Sequence, residues 1–240
     1  NEESWSVQIS EVLNDPDLTL DPKRYCKKVF SLRQSLAKED HFILGDIVDF
    51  IPERTNSEGE SVRATASAEY SYVEIADIGY GDFNSKKMRG WELPSRGRHF
   101  TENGDIYFGS IWGSVAKWCY VGEGYENHVV TNGCHRCRVK VGMEKHLIDL
   151  IAYMNTEGWA TQLRSLARGS DGLAEVIPED ARGVIIPRIT SKGVRKEVDP
   201  FVENLKKGRV TVKATVANML ENSTWDIEEP HKRPSHIVLV

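Results

Sequence analysis

Nothing in this sequence is long and apolar enough to cross a membrane, and its opening residues, Asn1-Glu2-Glu3-Ser4-Trp5, have neither the basic head nor the apolar stretch of a secretory leader. A cytoplasmic setting without membrane attachment is the expectation. Cysteine is scarce: Cys26, Cys119, Cys134 and Cys137 are too few and too unevenly placed to staple 240 residues. Reduced thiols fit the same compartment. An initiating Met is also missing, which reads as a trimmed piece of a longer protein.

Several chemistries lack their residues. Gly109-Ser110-Ile111-Trp112-Gly113-Ser114-Val115-Ala116-Lys117 is no nucleotide-binding P-loop, because the Gly-Lys-Ser/Thr ending is absent. A base methyltransferase needs an Asn/Asp-Pro-Pro-aromatic motif. Asn14-Asp15-Pro16-Asp17 lacks the second proline and the aromatic, and reads as a turn. A metal-dependent nuclease needs clustered carboxylates with a lysine. Asp77, Asp82 and Lys86 could supply them, but Gly79 and Gly81 make that segment a turn. Cys134-His135-Arg136-Cys137 has no second Cys or His pair at zinc spacing, and within a strand the two thiols would face opposite ways. No catalytic residue, cofactor or metal is assigned.

The net charge of -5 argues against a binder that relies on neutralising phosphate alone. The distribution says more. Between Lys86 and His99, five basic residues stand against Glu92, a local formal charge of +4.

A hydrophobic content of 40% with 28% charged residues is that of a globular chain able to bury a core. Tyr25, Val29, Leu32 and Leu36 form one stripe of a helix over Lys23 to Glu39, with Pro22 in its first turn. Asp46 is the expected N-cap of a short helix that Pro52 ends, and Glu53 to Ala68 reads as an exposed loop. Strand signals dominate from Tyr70 to Val141, punctuated by Gly turns such as Asn103-Gly104 and Asn132-Gly133. They suggest a curved sheet or small barrel-like β body. Glu144 to Ala167 changes to helical period, broken near Gly158. Gly183 to Pro187 is a short strand. A last helix is expected over Pro200 to Glu221, with Phe201, Leu205, Val212, Val216, Met219 and Leu220 as its stripe and Gly208 as a weak point.

The order of certain pieces resembles one half of the specificity subunits of type I restriction-modification systems. Those pieces are Leu44-Gly45-Asp46-Ile47, then Tyr72-Val73-Glu74-Ile75-Ala76-Asp77-Ile78, then Asn103-Gly104-Asp105-Ile106-Tyr107-Phe108 and Gly113-Ser114-Val115-Ala116-Lys117. Leu166-Ala167-Arg168-Gly169-Ser170, Ile177-Pro178-Glu179-Asp180 and Ile185-Ile186-Pro187-Arg188-Ile189 follow. The resemblance covers Phe42 to Ile189. It implies an α+β fold: a curved, mostly antiparallel β body of a target recognition domain with flanking helices and a distal C-terminal helix. The expected units are a linker and helix over 1–41, the recognition domain over 42–190, a spacer or docking helix over 191–225 and a tail over 226–240. Such subunits usually carry two recognition domains, and this chain has room for one. A half-subunit that dimerises through its C-terminal helix and a fragment of a larger methylase both stay open, as does a helix that packs on its own domain.

The implied function is sequence-specific binding of double-stranded DNA in a restriction-modification or DNA-methylation system. A DNA methyltransferase subunit or fused domain, and a restriction subunit, would supply the chemistry. The alternative is a metal-dependent nuclease domain acting on DNA. Base reading needs Arg or Lys for guanine, Asn or Gln for adenine and apolar groups for the thymine methyl, held in register by phosphate contacts. Lys86, Lys87, Arg89, Trp91, Arg96, Arg98 and His99 supply such groups, although a basic run can equally be a solvated face. Ser110, Trp112, Ser114 and Lys117 form a second candidate, which can equally be a turn around a core Trp. Arg168 and Ser170 form a third, where an arginine near a helix end also complements the dipole.

Overall fold

The computed structural model describes residues 9–13, 25–125, 127–169 and 173–208. A short helix α1 (Ile9–Leu13) stands at the start. Helix α2 (Lys27–Lys38) follows, and the stripe of Val29, Leu32 and Leu36 is buried. Strand β1 (His41–Ile43) leads into a single turn α3 (Leu44–Ile47) and then β2 (Val48–Phe50). The helix expected from Asp46 to Pro52 is therefore a turn and a strand. Val48 and Phe50 lie opposite Val139 and Cys137 of a neighbouring strand, and cross-strand burial of Val48 outweighs the capping tendency of Asp46.

The middle of the chain supplies β3 (Glu69–Val73), β4 (Tyr80–Gly81), β5 (Lys86–Arg89), β6 (Gly97–Phe100), β7 (Asp105–Gly109), β8 (Trp118–Tyr120), β9 (His128–Thr131) and β10 (Cys134–Val139). These make two open sheets rather than a barrel, ordered β2-β10-β7-β8-β4 and β5-β3-β9-β6. Pairing is antiparallel except for β3 with β9 and β4 with β8. A third pair joins β1 to β11 (Ile185–Pro187).

Strand β7 shows how the layers meet. Ile106 and Phe108 face one way and Tyr107 the other, the period-two alternation of a strand buried on both sides. Tyr107 joins Val73, Cys119, Val130 and Cys134 between the two large sheets. Ile106 and Phe108 join Trp118 and Cys137 beneath the helices. Cys134 and Cys137 thus do lie in different layers, and burial pushes both thiols up, Cys134 to about 12.

Helices α4 (Leu147–Met154) and α5 (Glu157–Leu166) cover the five-stranded sheet. The break between them falls at Asn155-Thr156, where Thr156 Oγ1 accepts from Trp159 N at 3.3 Å, and not at Gly158. Gly158 is instead a place of close approach. A Cβ there would stand 2.8 Å from the Tyr153 hydroxyl.

A short α6 (Pro178–Ala181) precedes β11, and α7 (Lys192–Lys206) closes the described chain. Its start is earlier than expected, because Ser191 caps it through Val194 N and Pro200 is accommodated inside it. Over Lys192–Lys206 the helix packs on its own domain, one of the arrangements the sequence leaves open. Val194, Val198, Phe201, Val202 and Leu205 are buried in the same core as α4 and α5. At about 2 kcal/mol per buried apolar side chain, that face binds the rest of the fold by on the order of 10 kcal/mol. Val212, Val216, Met219 and Leu220 lie outside the described residues. Among the described residues no helix is long and apolar enough to cross a membrane.

Candidate nucleic-acid interface

The four-stranded sheet has two edges, and basic side chains occupy both. Lys86, Lys87 and Arg89 sit on β5, one edge, and all three are exposed. Arg98 sits on β6, the other edge, with Arg96 just before it. Three strand spacings separate the edges, roughly 14 Å. The basic run from Lys86 to His99 is thus a strand, a turn and a strand. The two strands form because Tyr72 and Val129 between them need covering: Met88, Leu93 and Phe100 pack on that face with Ala64 and Ala68.

The connecting turn is held tightly. Gly90 N donates to Ala68 O at 2.9 Å and Trp91 N to Ala66 O at 3.2 Å. Glu92 Oε2 accepts from Arg89 N at 2.7 Å, and Arg89 Nη1 reaches Ser67 O at 3.1 Å. Gly90 is required, because a Cβ would collide with the Thr65 carbonyl oxygen. The outcome is a braced turn presenting Trp91 with 71% of its surface exposed.

Neighbouring carboxylates touch several of these cations. Lys87 Nζ is 3.3 Å from Glu69, Arg96 Nη2 is 3.5 Å from Glu74, and Arg98 Nη1 is 2.7 Å from Glu53. Such exposed pairs hold geometry weakly and exchange readily for another anion. Arg98 is the best oriented, since its Nε also donates to Ser95 O at 3.0 Å. Partial burial raises the Glu53 carboxyl, but the bonds from Arg98 and Asn132 outweigh this and leave its pKa lowered. His99 does not belong with the surface cations. It is buried against Tyr107, and burial pushes its pKa down to about 4, so the ring is neutral at pH 7.

The second cluster divides. Trp112 is exposed, with the Arg164 guanidinium 5.2 Å over its ring. Ser110 is a correction: only 1% of it is exposed, because its backbone is stitched to Gly133 O and Val176 N on both sides. Ser114 Oγ is spent on Ile111 O at 2.9 Å. Lys117 is turned inward too, where Nζ donates to Ile75 O at 2.9 Å and Ala76 O at 3.3 Å. Desolvation lowers its pKa. Its role is to hold the turn after β3. In the third cluster, Arg168 grips Asp180 with two bonds of 2.7 and 2.6 Å, and Ser170 lies outside the described residues.

Backbone bonds string the exposed parts together. Arg54 N donates to Arg98 O, Asn132 N to Arg96 O, Ser110 N to Gly133 O, and Trp112 N to Ala174 O. The β6 edge and the Trp112 turn are therefore parts of one surface strip. Arg54 and Arg63 belong to it and were not singled out in the sequence, where they sat in a stretch read only as an exposed loop. Nothing local marks them.

Beneath that loop lies a buried ionic network. Arg136, wholly enclosed, donates from Nε to Asp105 Oδ2 at 2.7 Å, from Nη2 to Glu102 Oε2 at 3.1 Å and from Nη1 to Thr55 O at 2.6 Å. Arg138 Nη2 completes it to Glu102 at 2.9 Å and Asp105 at 2.6 Å. Glu102 in turn accepts from Ser57 N at 3.1 Å. Partial burial raises the Glu102 carboxyl, but the bonds from Ser57 and the two arginine charges outweigh it and the pKa is lowered. The network clamps residues 55–57 to the five-stranded sheet. As for metal chemistry, Asp77 Oδ2 accepts from Glu74 N at 3.3 Å in a capping turn. Among the described residues no three His, Cys, Asp or Glu side chains group as a metal site.

No family model and no curated protein matches this sequence. Among solved structures, the chain is similar to one from a study of complex assembly and conformational transition of the type I restriction-modification system. The TM-score is 0.52 and the identity 18%, over 71% of this chain and 43% of that one. It is also similar to the HsdS subunit from Thermoanaerobacter tengcongensis, at TM-score 0.49 and 16% identity, over 71% and 43% again. The chain spans less than half the length of either. At such identity the likeness is one of fold, and it agrees with the α+β arrangement, with mostly antiparallel sheets and flanking helices, expected from the motifs between Phe42 and Ile189.

Proposed function

We propose that this chain is a sequence-specific double-stranded DNA binder, the specificity module of a restriction-modification or DNA-methylation system. A methyltransferase chain or fused domain, with or without a restriction subunit, supplies the chemistry. The observation that carries this is the four-stranded sheet. It bears cations on both edges, at a separation close to the ~12 Å width of a major groove, with an exposed Trp91 on a braced turn between them. Rigid strands presenting arginines and lysines hold reading groups in register without ordering them anew on binding. The overall charge of -5 is compatible because the positive charge is local.

The partner proposal concerns the helical side. The apolar face of α7 over Lys192–Lys206 is spent on the chain's own core, so pairing with a second copy through that stripe would require opening the core. A homodimer built on the C-terminal helix would have to use residues beyond 208.

Binding selection with the chain on random duplexes tests the reading. One short recognition sequence should emerge, and a flat pool refutes it. The nuclease alternative has its own test, incubation with plasmid and Mg²⁺. Cleavage by the purified chain would overturn the non-catalytic assignment.

A further inference from the structure

The two edges of the four-stranded sheet differ in their chemistry. On β5 the cations are Lys86, Lys87 and Arg89. At the β6 edge they are arginines: Arg96 and Arg98, with Arg54 and Arg63 brought in by a small hairpin. That hairpin is formed by Thr55 opposite Ser61, closed by Val62 N to Arg54 O at 2.7 Å, and docked by Arg54 N to Arg98 O at 2.8 Å. Asn132 joins the same edge through Arg96 O.

Arg54 has two further properties. Its backbone is left-handed, with φ of +56°, a conformation that costs a non-glycine residue free energy and persists only where the surroundings impose it. Here the imposing contacts are visible: the bond to Arg98, and the buried Arg136 guanidinium on the next carbonyl, Thr55 O. Its side chain is exposed, and no partner holds it among the described residues. Arg63, nearly opposite on the hairpin, is exposed in the same way.

Guanidinium and ammonium are not interchangeable in a groove. Arginine presents a planar fork that matches guanine O6 and N7 with two bonds, whereas lysine is a hydrated point charge suited to phosphate. Asparagine is the matching reader of adenine. We infer that the sheet divides the work between its edges: the arginine edge reads bases, with Arg54 as a guanine-reading residue, and the lysine edge anchors phosphate. This rests on the DNA-binding reading given above and adds which residues set the sequence preference.

The test pairs variants of opposite expectation, each compared on the selected duplex and on duplexes changed one base pair at a time. Arg54→Lys keeps the charge but loses the fork, and Arg54→Ala loses both. Both should erase a roughly 10- to 100-fold preference at one position, which then becomes tolerant. Arg54→Lys should keep the salt dependence of wild type. Lys86→Ala and Lys87→Ala should weaken all duplexes alike and lower the salt slope by about 0.9 each, with base preference unchanged. Matching thermal melts for the Arg54 variants, whose side chain is exposed, exclude misfolding as the cause. Arg54 variants that keep every base preference and lose affinity evenly overturn the division of labour while leaving DNA binding intact. A wild-type chain with no preference for any duplex overturns the binding reading and this inference together.

Discussion

Replacing Arg136 by leucine removes a guanidinium with no exposed surface and three acceptors: Asp105, Glu102 and the Thr55 carbonyl. Asp105 is then left enclosed with Arg138 as its remaining cation, at 2.6 Å, plus the backbone N–H of Glu102 at 2.8 Å. Breaking a buried ion pair from one side costs about 3–5 kcal/mol, because the surviving charge stays desolvated. The residual Arg138 contact places Arg136→Leu near the lower end, about 3 kcal/mol. For a chain of this size that is a fall of roughly 10 °C in melting temperature. Two measurements check it. Urea unfolding gives the global loss, and hydrogen exchange should show the amides of residues 54–62 opening first, since the Thr55 anchor is gone. The double replacement Asp105→Leu with Arg136→Leu should cost less than Arg136→Leu alone, because it leaves no orphaned charge. A loss below about 1 kcal/mol with unchanged exchange in that hairpin would refute the claim that the network positions it.

Three further outcomes are expected. His99, with a folded pKa of about 4 against an ordinary 6.5, binds its proton more readily in the unfolded chain, so it contributes stability at neutral pH that is lost as pH falls from about 6.5 towards 4. That is roughly 3 kcal/mol in all. His99→Leu should flatten this limb in urea titrations at several pH values relative to wild type, and an unaltered limb would contradict the burial argument; His135, shifted down by burial, adds slope in the same sense. Gly90→Ala should destabilise by about 1–3 kcal/mol, through collision with the Thr65 carbonyl, and should alter the solvent exposure of Trp91 in fluorescence quenching. Lys117→Met should leave the salt slope of DNA binding as it is, because its ammonium is turned onto Ile75 O and Ala76 O; a fall of about 0.9 would show that it does contact phosphate.

Periodicity made parts of this molecule readable in advance. The Val29, Leu32 and Leu36 positions of the α2 stripe and the opposed thiols of Cys134 and Cys137 are consequences of local geometry, and each lies where its spacing put it, whereas Tyr25 of the same expected stripe falls before the helix. Where competing local signals met, burial decided. Asp46 suggested a helix start, but Val48 and Phe50 had a strand to join. Pro200 suggested a helix start as well, but Ser191 caps the helix a full two turns earlier and the apolar face from Val194 onwards holds it down.

What the amino-acid order determined unaided was a β-rich middle flanked by helices, the α+β class, and the concentration of positive charge between Lys86 and Arg98. Those depend on neighbours in sequence, or on a series of motifs in order. Only the tertiary structure decided which cations are free to act. Lys117 and Ser110 are drawn inward by carbonyls and amides far along the chain, while Arg54 is held outward by Arg98 and by Arg136, dozens of residues away. Such choices turn on partners that no local pattern encodes, and a charge kept from water must find one of them.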